Sequence, residues 1–176
     1  MESVVSVNAK TKDHSPTATP VTPTAFRSAM GHFLTGVTIV TTRCAAGTPY
    51  GLTVSSFNSV SLDPPLILWS LDLGNDRATL FRESAGFTVN VLPAGCEDLI
   101  KTFAAPDAER FRNAAWHWGP TGQPVLKDAI ASFECRLWAE YPGGDHAIFV
   151  GEVMDIATRD GEAAAYFKGQ LGTYPS

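Results

Sequence analysis

Residues 51–65 read GLTVSSFNSVSLDPP, in which Thr53, Ser55, Ser56, Asn58, Ser59 and Ser61 alternate with Leu52, Val54, Phe57, Val60 and Leu62 before a double proline. On a strand, residues two apart share a face, so Thr53 and Ser55, with Asn58 or Ser59 beyond a turn, would present hydroxyls and amides together. Such a row suits a ligand rich in oxygen and nitrogen, although a solvated edge strand has the same composition. A second stretch, LGNDRATLF (73–81), joins an apolar run to a helical pattern. Free backbone N–H groups, Arg77 and Thr79 at a helix start favour an anion such as phosphate; a plain capped helix with a solvated Arg77 fits as well. The third is GGDHAIFVGEV (143–153), where Asp145 and His146 stand at the mouth of a long strand. A histidine there can hydrogen-bond a ligand in either protonation state, with the aspartate fixing its tautomer, or it is a surface residue beside a turn. No nucleophile triad and no carboxylate pair stands out. His32 and His117 share no metal-ligand spacing with His146, and Cys44, Cys96 and Cys135 form no C-x-x-C pair, so the reading contains no metal site and no disulfide framework.

The elements that must hold these residues follow from periodicity. Thr24 can cap a helix over Ala25–Leu34, with Phe26, Met30 and Phe33 on one face and Gly36 beyond its end. Six strands are expected, in GVTIVTTR, PYGLTVSSFNSV, PPLILWSLD, GFTVNVL, ASFECRLWAEYP and HAIFVGEVMDIATRD. GFTVNVL sets Phe87, Val89 and Val91 opposite Thr88 and Asn90, ASFECRLW sets Phe133, Cys135 and Leu137 opposite Glu134, Arg136 and Trp138, and Gly151 marks a bulge or bend. Two further helices are expected in NDRATLFRESAG and CEDLIKTFAA. Many strands and few helices give a mainly β barrel decorated by helices, with no internal repeat.

The chain has 176 residues, enough for one domain with a real core. Residues 1–23, rich in Ser, Thr, Pro and Ala, read as a mobile tail, and the domain as residues 24–176. With 44% hydrophobic and 18% charged residues, part of the surface is expected to be buried against another subunit, so a homo-oligomer is expected. A net charge of −5 without a basic cluster argues against nucleic acid. No run has the length of a membrane span and no signal core opens the chain, which points to the cytoplasm.

Several of these segments, FRSAMGHFLTGVTIVTT, GLTVSSFNSVSLDPPLILWSL, FTVNVL, Arg110–Phe111, GQPVLKDAIASFECRLW, GDHAIFVGEV and YFKGQLGTY, occur in the order and spacing of the short-chain flavin reductases. These are the reductase components of two-component flavin-dependent monooxygenases, and the resemblance runs from Phe26 to Tyr174. It implies a homodimeric FMN-binding split β-barrel with a few peripheral helices and with FMN or FAD in a groove at the subunit interface. It implies NADH or NADPH as co-substrate and a partner monooxygenase that reduced flavin can reach by diffusion. Flavin contacts carried over by the resemblance are Thr53, Ser55, Ser56, Phe57, Asn58, Ser59 and Val60 for the ring and ribityl chain, and Asn75, Arg77, Ala78 and Thr79 for the phosphate. His146 is carried over to the nicotinamide pocket, with Phe111 and Tyr174 as further pocket walls. The protein then supplies stacking, orientation and hydrogen bonds while the cofactors carry the reactivity. No G-x-G-x-x-G follows a strand, so the dinucleotide is not held on a Rossmann unit, and the lack of a basic pair placed for a 2′-phosphate favours NADH.

Three other readings keep the same barrel: an oxidase of pyridoxamine phosphate, for which no further basic set is found; a flavin- or haem-binding module without turnover; and a purely structural dimerisation unit. Trp116 and Trp118 form either an exposed aromatic lid or part of the core.

Overall fold

The computed structural model describes residues 19–74, 78–106 and 109–174. In chain order its elements are α1 (Pro23–Met30), β1 (Thr35–Gly36), β2 (Thr38–Arg43), β3 (Pro49–Val54), β4 (Asn58–Leu62), β5 (Pro65–Asp72), α2 (Ala78–Glu83), β6 (Gly86–Val91), α3 (Glu97–Ala104), β7 (Trp116–Trp118), β8 (Pro124–Leu126), β9 (Ala131–Gly143), β10 (His146–Thr158), β11 (Ala163–Phe167) and β12 (Gln170–Tyr174). The chain is mainly β, as its alternating segments indicate. Residues 1–18 of the expected tail, and Asn75 and Arg77 of the expected phosphate set, lie outside the described residues.

The framework is a seven-stranded antiparallel sheet in the order β3-β2-β6-β9-β10-β5-β4. Its two edge strands, β3 and β4, are consecutive in sequence and joined only through Ser55–Phe57. Four peptide steps from Val54 to Asn58 span at most about 15 Å, at about 3.8 Å each. Seven flat strands would set the edges roughly 29 Å apart, at about 4.8 Å per neighbour. The sheet therefore has to curl until its edges approach each other. Ser56 fixes that approach: its hydroxyl donates to the Ser70 carbonyl (3.2 Å) and accepts from the Ser70 N–H (2.9 Å) of β5.

Inside the curl, Trp69 is fully buried, stacked on Phe149 (centroids 4.9 Å apart) and edge-on to Phe81 (4.9 Å) and Phe87 (5.7 Å). Gly151 sits at a register shift in the β9–β10 pairing, the bulge anticipated for it. The reason is space: a Cβ there would come within 2.5 Å of the Phe87 ring and 2.8 Å of the Cys135 Cβ.

The other face of β6 is buried too. Thr88 and Asn90 are wholly inaccessible, with β8 packed against β6. Burial of an amide is tolerated only when its hydrogen bonds are made. Asn90 donates from its side-chain nitrogen to the Ile39 carbonyl (3.0 Å) and to the Thr41 hydroxyl (3.1 Å), and accepts from the Leu126 N–H (2.9 Å). Glu134, also buried, accepts from the backbone N–H (2.9 Å) and the hydroxyl of Thr121.

Several expected boundaries shift. The first helix starts at Pro23 with Thr22, not Thr24, as its cap, because the Thr22 hydroxyl accepts from the Ala25 N–H (3.2 Å) and Pro23 suits the first turn. PYGLTVSSFNSV is not one strand, since the chain leaves β3 at Val54 and re-enters at Asn58 on the opposite edge. A second sheet, β1-β11-β12, and the hairpin β7–β8 lie outside the six expected strands. Trp116 is half-buried against Phe111 (centroids 5.5 Å), while Trp118 stays largely exposed under Arg43.

Candidate active site

Where the two sheet edges meet, the structure opens into a cavity of about 1190 Å3. One wall is the crossing segment itself, Ser55, Ser56, Phe57 and Asn58, with Leu68 of β5. The other is the end of α1 and the segment through Gly36, together with Tyr166, Lys168 and Gly169 of the β11–β12 hairpin. A single-ligand site occupies about 300–1,000 Å3, so this volume admits a large ligand or two stacked ones.

The four residues of the crossing segment differ in what they can offer. Ser55 is exposed and its hydroxyl has no partner among the described residues, so it is free to bind a ligand. The Ser56 hydroxyl is committed in both directions to Ser70, which makes it a positioning group for the segment. Phe57 anchors the segment by packing its ring 5.5 Å from that of Phe133, and Asn58 turns its side-chain oxygen onto the Ser59 N–H (2.8 Å). Its amide nitrogen is left for a ligand.

The remaining site candidates do not line this cavity. Thr53 is half-buried, and its hydroxyl donates to the Ile100 carbonyl (2.8 Å), tying α3 to β3. Ser59 and Val60 continue along β4, Val60 half exposed. Phe111 belongs to an aromatic cluster with Phe103 (5.1 Å) and Trp116, and Tyr174 stands exposed at the end of β12. Ala78 and Thr79 open α2, with Ala78 buried.

His146 opens β10 and pairs with Asp72 of β5. Ser70, which holds Ser56, lies two residues earlier on β5, about 7 Å along the strand. The Asp145 carbonyl accepts from the Leu73 N–H (3.0 Å), so the histidine turn and the chain leading towards α2 are held as one corner. The Asp145 carboxylate accepts from His146 Nδ1 (2.8 Å), and this hydrogen bond, with the charge of the ring, holds its carboxyl below the usual carboxylate range. The bond orients the ring and leaves Nε2 for a ligand.

Among the described residues the cavity lining contains no aspartate or glutamate, and it includes Arg27, His32 and Lys168. These three carry no role in the sequence reading. The signal for Lys168 was the Lys-Gly dipeptide between two apolar runs, a hairpin turn, but only the folded chain brings that turn to α1.

Residues 30–175 match the flavin reductase like domain family. The chain belongs to that family. It is 41% identical over 150 residues to the FMN reductase (NADH) SmoA of Agrobacterium fabrum, covering 85% of each chain. Over 155 residues it is 36% identical to the reductase component of the 4-nitrophenol 4-monooxygenase/4-nitrocatechol 2-monooxygenase of Rhodococcus opacus, covering 88% of this chain and 83% of that one. Among solved structures, the NADH:FAD oxidoreductase SgcE6 of Streptomyces globisporus superposes with a TM-score of 0.81 at 34% identity, covering 92% of this chain and all of that one. It has also been solved in complex with NAD and FAD fragments. Among the described residues, no helix of this flavin reductase family member is long and apolar enough to cross a membrane.

Proposed function

We propose that this chain is an NAD(P)H-dependent flavin reductase, passing hydride from a nicotinamide to FMN or FAD and supplying reduced flavin to a partner monooxygenase. The observation that carries this reading is the cavity between the sheet edges: a wide polar wall of Ser55–Asn58, no carboxylate among the described lining residues to repel an anionic cofactor, and room for two flat ligands. Its fit to flavin is a matter of donors. The Ser55 hydroxyl, the Asn58 amide nitrogen and the backbone of the crossing segment would donate to the oxygen- and nitrogen-rich edge of the ring. When bound together, the two cofactors supply the hydride transfer, from nicotinamide C4 to flavin N5.

The chain's own residues bind and orient. Ser56 and Phe57 hold the segment against β5 and Phe133, which would fix the wall that the ring packs on. The start of α2, at Ala78 and Thr79, would hold the phosphate, past the corner that Leu73 and Asp145 tie together; Asn75 and Arg77, outside the described residues, are the further groups assigned to it. His146, its tautomer set by Asp145, positions the nicotinamide and need not transfer a proton. Thr53 contributes through α3 rather than by touching the flavin. Ser59, Val60, Phe111 and Tyr174 do not line the cavity of the single chain; a place for them in the site would need a second subunit.

That second subunit is part of the reading. The chain folds as one split β-barrel domain over residues 24–176, placed in the cytoplasm where reduced nicotinamide is made, and pairs as a homodimer. Support comes from α1, which buries none of its residues although Phe26 and Met30 are apolar, and from Leu62 at the sheet edge, 95% exposed. An eight-residue helix is marginal without a partner for its apolar face. Sedimentation should therefore give twice the chain mass.

Reduction is tested directly by mixing protein, NADH and FMN or FAD without oxygen. The visible flavin band should bleach at a rate proportional to protein. Tight flavin binding without bleaching would refute the reductase reading in favour of a non-catalytic flavin module.

A further inference from the structure

We propose that the ion pair between Arg82 and Glu140 is a positioning device for His146, acting from outside the cavity and touching neither cofactor. The inference rests on the reductase reading, in which His146 faces the nicotinamide, and adds to it the residues that hold the histidine in place. Arg82 belongs to α2 and Glu140 to β9, so the pair joins a helix to a strand far from it in sequence. The contact is forked: Arg82 Nε donates to Glu140 Oε1 (2.9 Å) and Oε2 (3.0 Å), and Nη2 donates to Oε1 (2.8 Å). A fork fixes direction as well as distance.

The sheet shows why such a tie is needed. β6 pairs with β9 from Val91↔Ala131 to Gly86↔Arg136 and stops there, while β9 and β10 run on together to Gly143↔His146. On the β10 side this extension is held by β5, with His146 opposite Asp72. On the β9 side, residues 138–143 have no strand partner among the described residues. An extension paired along one edge is the less constrained along the other. Glu140 lies on that open edge, three residues before Gly143, about 10 Å along the strand.

What meets Glu140 there is rigid. Phe81, next in the chain to Arg82, is fully buried and edge-on to Trp69 (4.9 Å), Tyr50 (5.9 Å) and Phe149 (6.2 Å). Phe149 is also the residue opposite Glu140 on β10. α2 is thus fixed to the core beneath the hairpin, and Arg82 carries that anchorage to the open edge. The tip passes it on, because Gly143 pairs with His146 across a two-residue turn whose Gly144 has a φ of 78°. The bond from the Leu73 N–H to the Asp145 carbonyl holds the β5 side of the same tip. Both side chains of the pair are partly exposed, so it adds little to stability, and its effect belongs in the placing of the histidine.

Arg82→Gln and Glu140→Gln each break the charged fork. The KM for NADH, kcat and the Kd of FMN and FAD are measured for both, in the native and the His146→Ala backgrounds, with thermal unfolding as a control. Each single variant should raise the KM for NADH about fivefold and leave kcat and flavin Kd within about twofold, with Tm within about 2 °C. In the His146→Ala protein the same substitutions should change KM by less than about twofold, because the group they position is gone. The exchanged pair, Arg82→Glu with Glu140→Arg, should recover the native KM. An unchanged KM in both single variants overturns the inference. So does an equal rise with and without His146, which would make the pair merely structural, and so does a rise in flavin Kd with KM unchanged, which would have it act through α2 on the flavin. If the unaltered protein oxidises no NADH with either flavin, the reductase reading falls and this inference falls with it. Turnover with an unchanged KM removes the inference alone.

Discussion

Ser55 and Ser56 are neighbours of the same type, and the fold gives them opposite jobs that mutation separates. The Ser56 hydroxyl makes two hydrogen bonds with the Ser70 backbone, at 2.9 and 3.2 Å. Each bond contributes about 0.5–1.5 kcal/mol net, and their exposure places the pair at about 1–2 kcal/mol. For a chain of this size one kcal/mol moves Tm by about 2–4 °C, so Ser56→Ala should lower the Tm of the flavin-free protein by about 2–8 °C. Ser55 makes no such bond, and Ser55→Ala should leave Tm within about 1 °C, as surface substitutions do. It should instead cost one hydrogen bond to the flavin, about 0.5–1.5 kcal/mol, or roughly 2–13-fold in Kd. Thermal unfolding without flavin and titration by quenching of flavin fluorescence read the two quantities independently. A Ser55→Ala protein that binds flavin unchanged, or a Ser56→Ala protein with unaltered Tm, would refute this division of roles.

Three further outcomes follow from particular contacts. Gly151→Ala should destabilise the fold by about 1–3 kcal/mol in urea denaturation, because its Cβ would enter the space of the Phe87 ring and the Cys135 side chain. Arg110 is buried, donating to the Tyr50 hydroxyl (2.6 Å) and to the Gly51 (2.7 Å) and Ala105 (2.6 Å) carbonyls, so Arg110→Leu should cost about 2–4 kcal/mol and release the chain around 105–110 to proteolysis. Burial, with the charge of Glu134 as a second cause, pushes the Cys135 thiol up to about 12. Because its folded value is raised, the stability it contributes is complete below the unfolded thiol's value of about 8.5 and is lost as pH rises from there towards 12. Cys135→Ser should therefore flatten the alkaline fall of stability, and the native Cys135 should resist thiol reagents near pH 8 until the protein is unfolded.

What the sequence disclosed depended on how local the cause was. The strictly alternating β6, the long apolar start of β10 and the Gly151 bulge were legible because periodicity, apolar runs and the break in them are properties of neighbouring residues. The crossing at Ser55–Phe57 was not, since an apolar–polar alternation continues through it while the backbone passes from one sheet edge to the other. The burial of Thr88 and Asn90 was hidden for a related reason: their partners Ile39, Thr41 and Leu126 come from β2 and β8. Of the candidate site, the Ser55–Asn58 wall stands out by composition, whereas Thr53 has the same character and serves α3. Arg27 and Lys168 are unremarkable surface cations in sequence, far apart in the chain, and come to line one cavity only when the Lys168–Gly31 hydrogen bond fastens the hairpin turn to α1.

The central claim is that this cavity brings a nicotinamide and a flavin together for hydride transfer. Its most direct measurement is the initial rate of NADH and NADPH oxidation with FMN, with FAD and with no flavin added. The account predicts turnover that requires flavin, is proportional to protein and is faster with NADH. Flavin-independent oxidation, or no oxidation by protein that binds flavin, would contradict it.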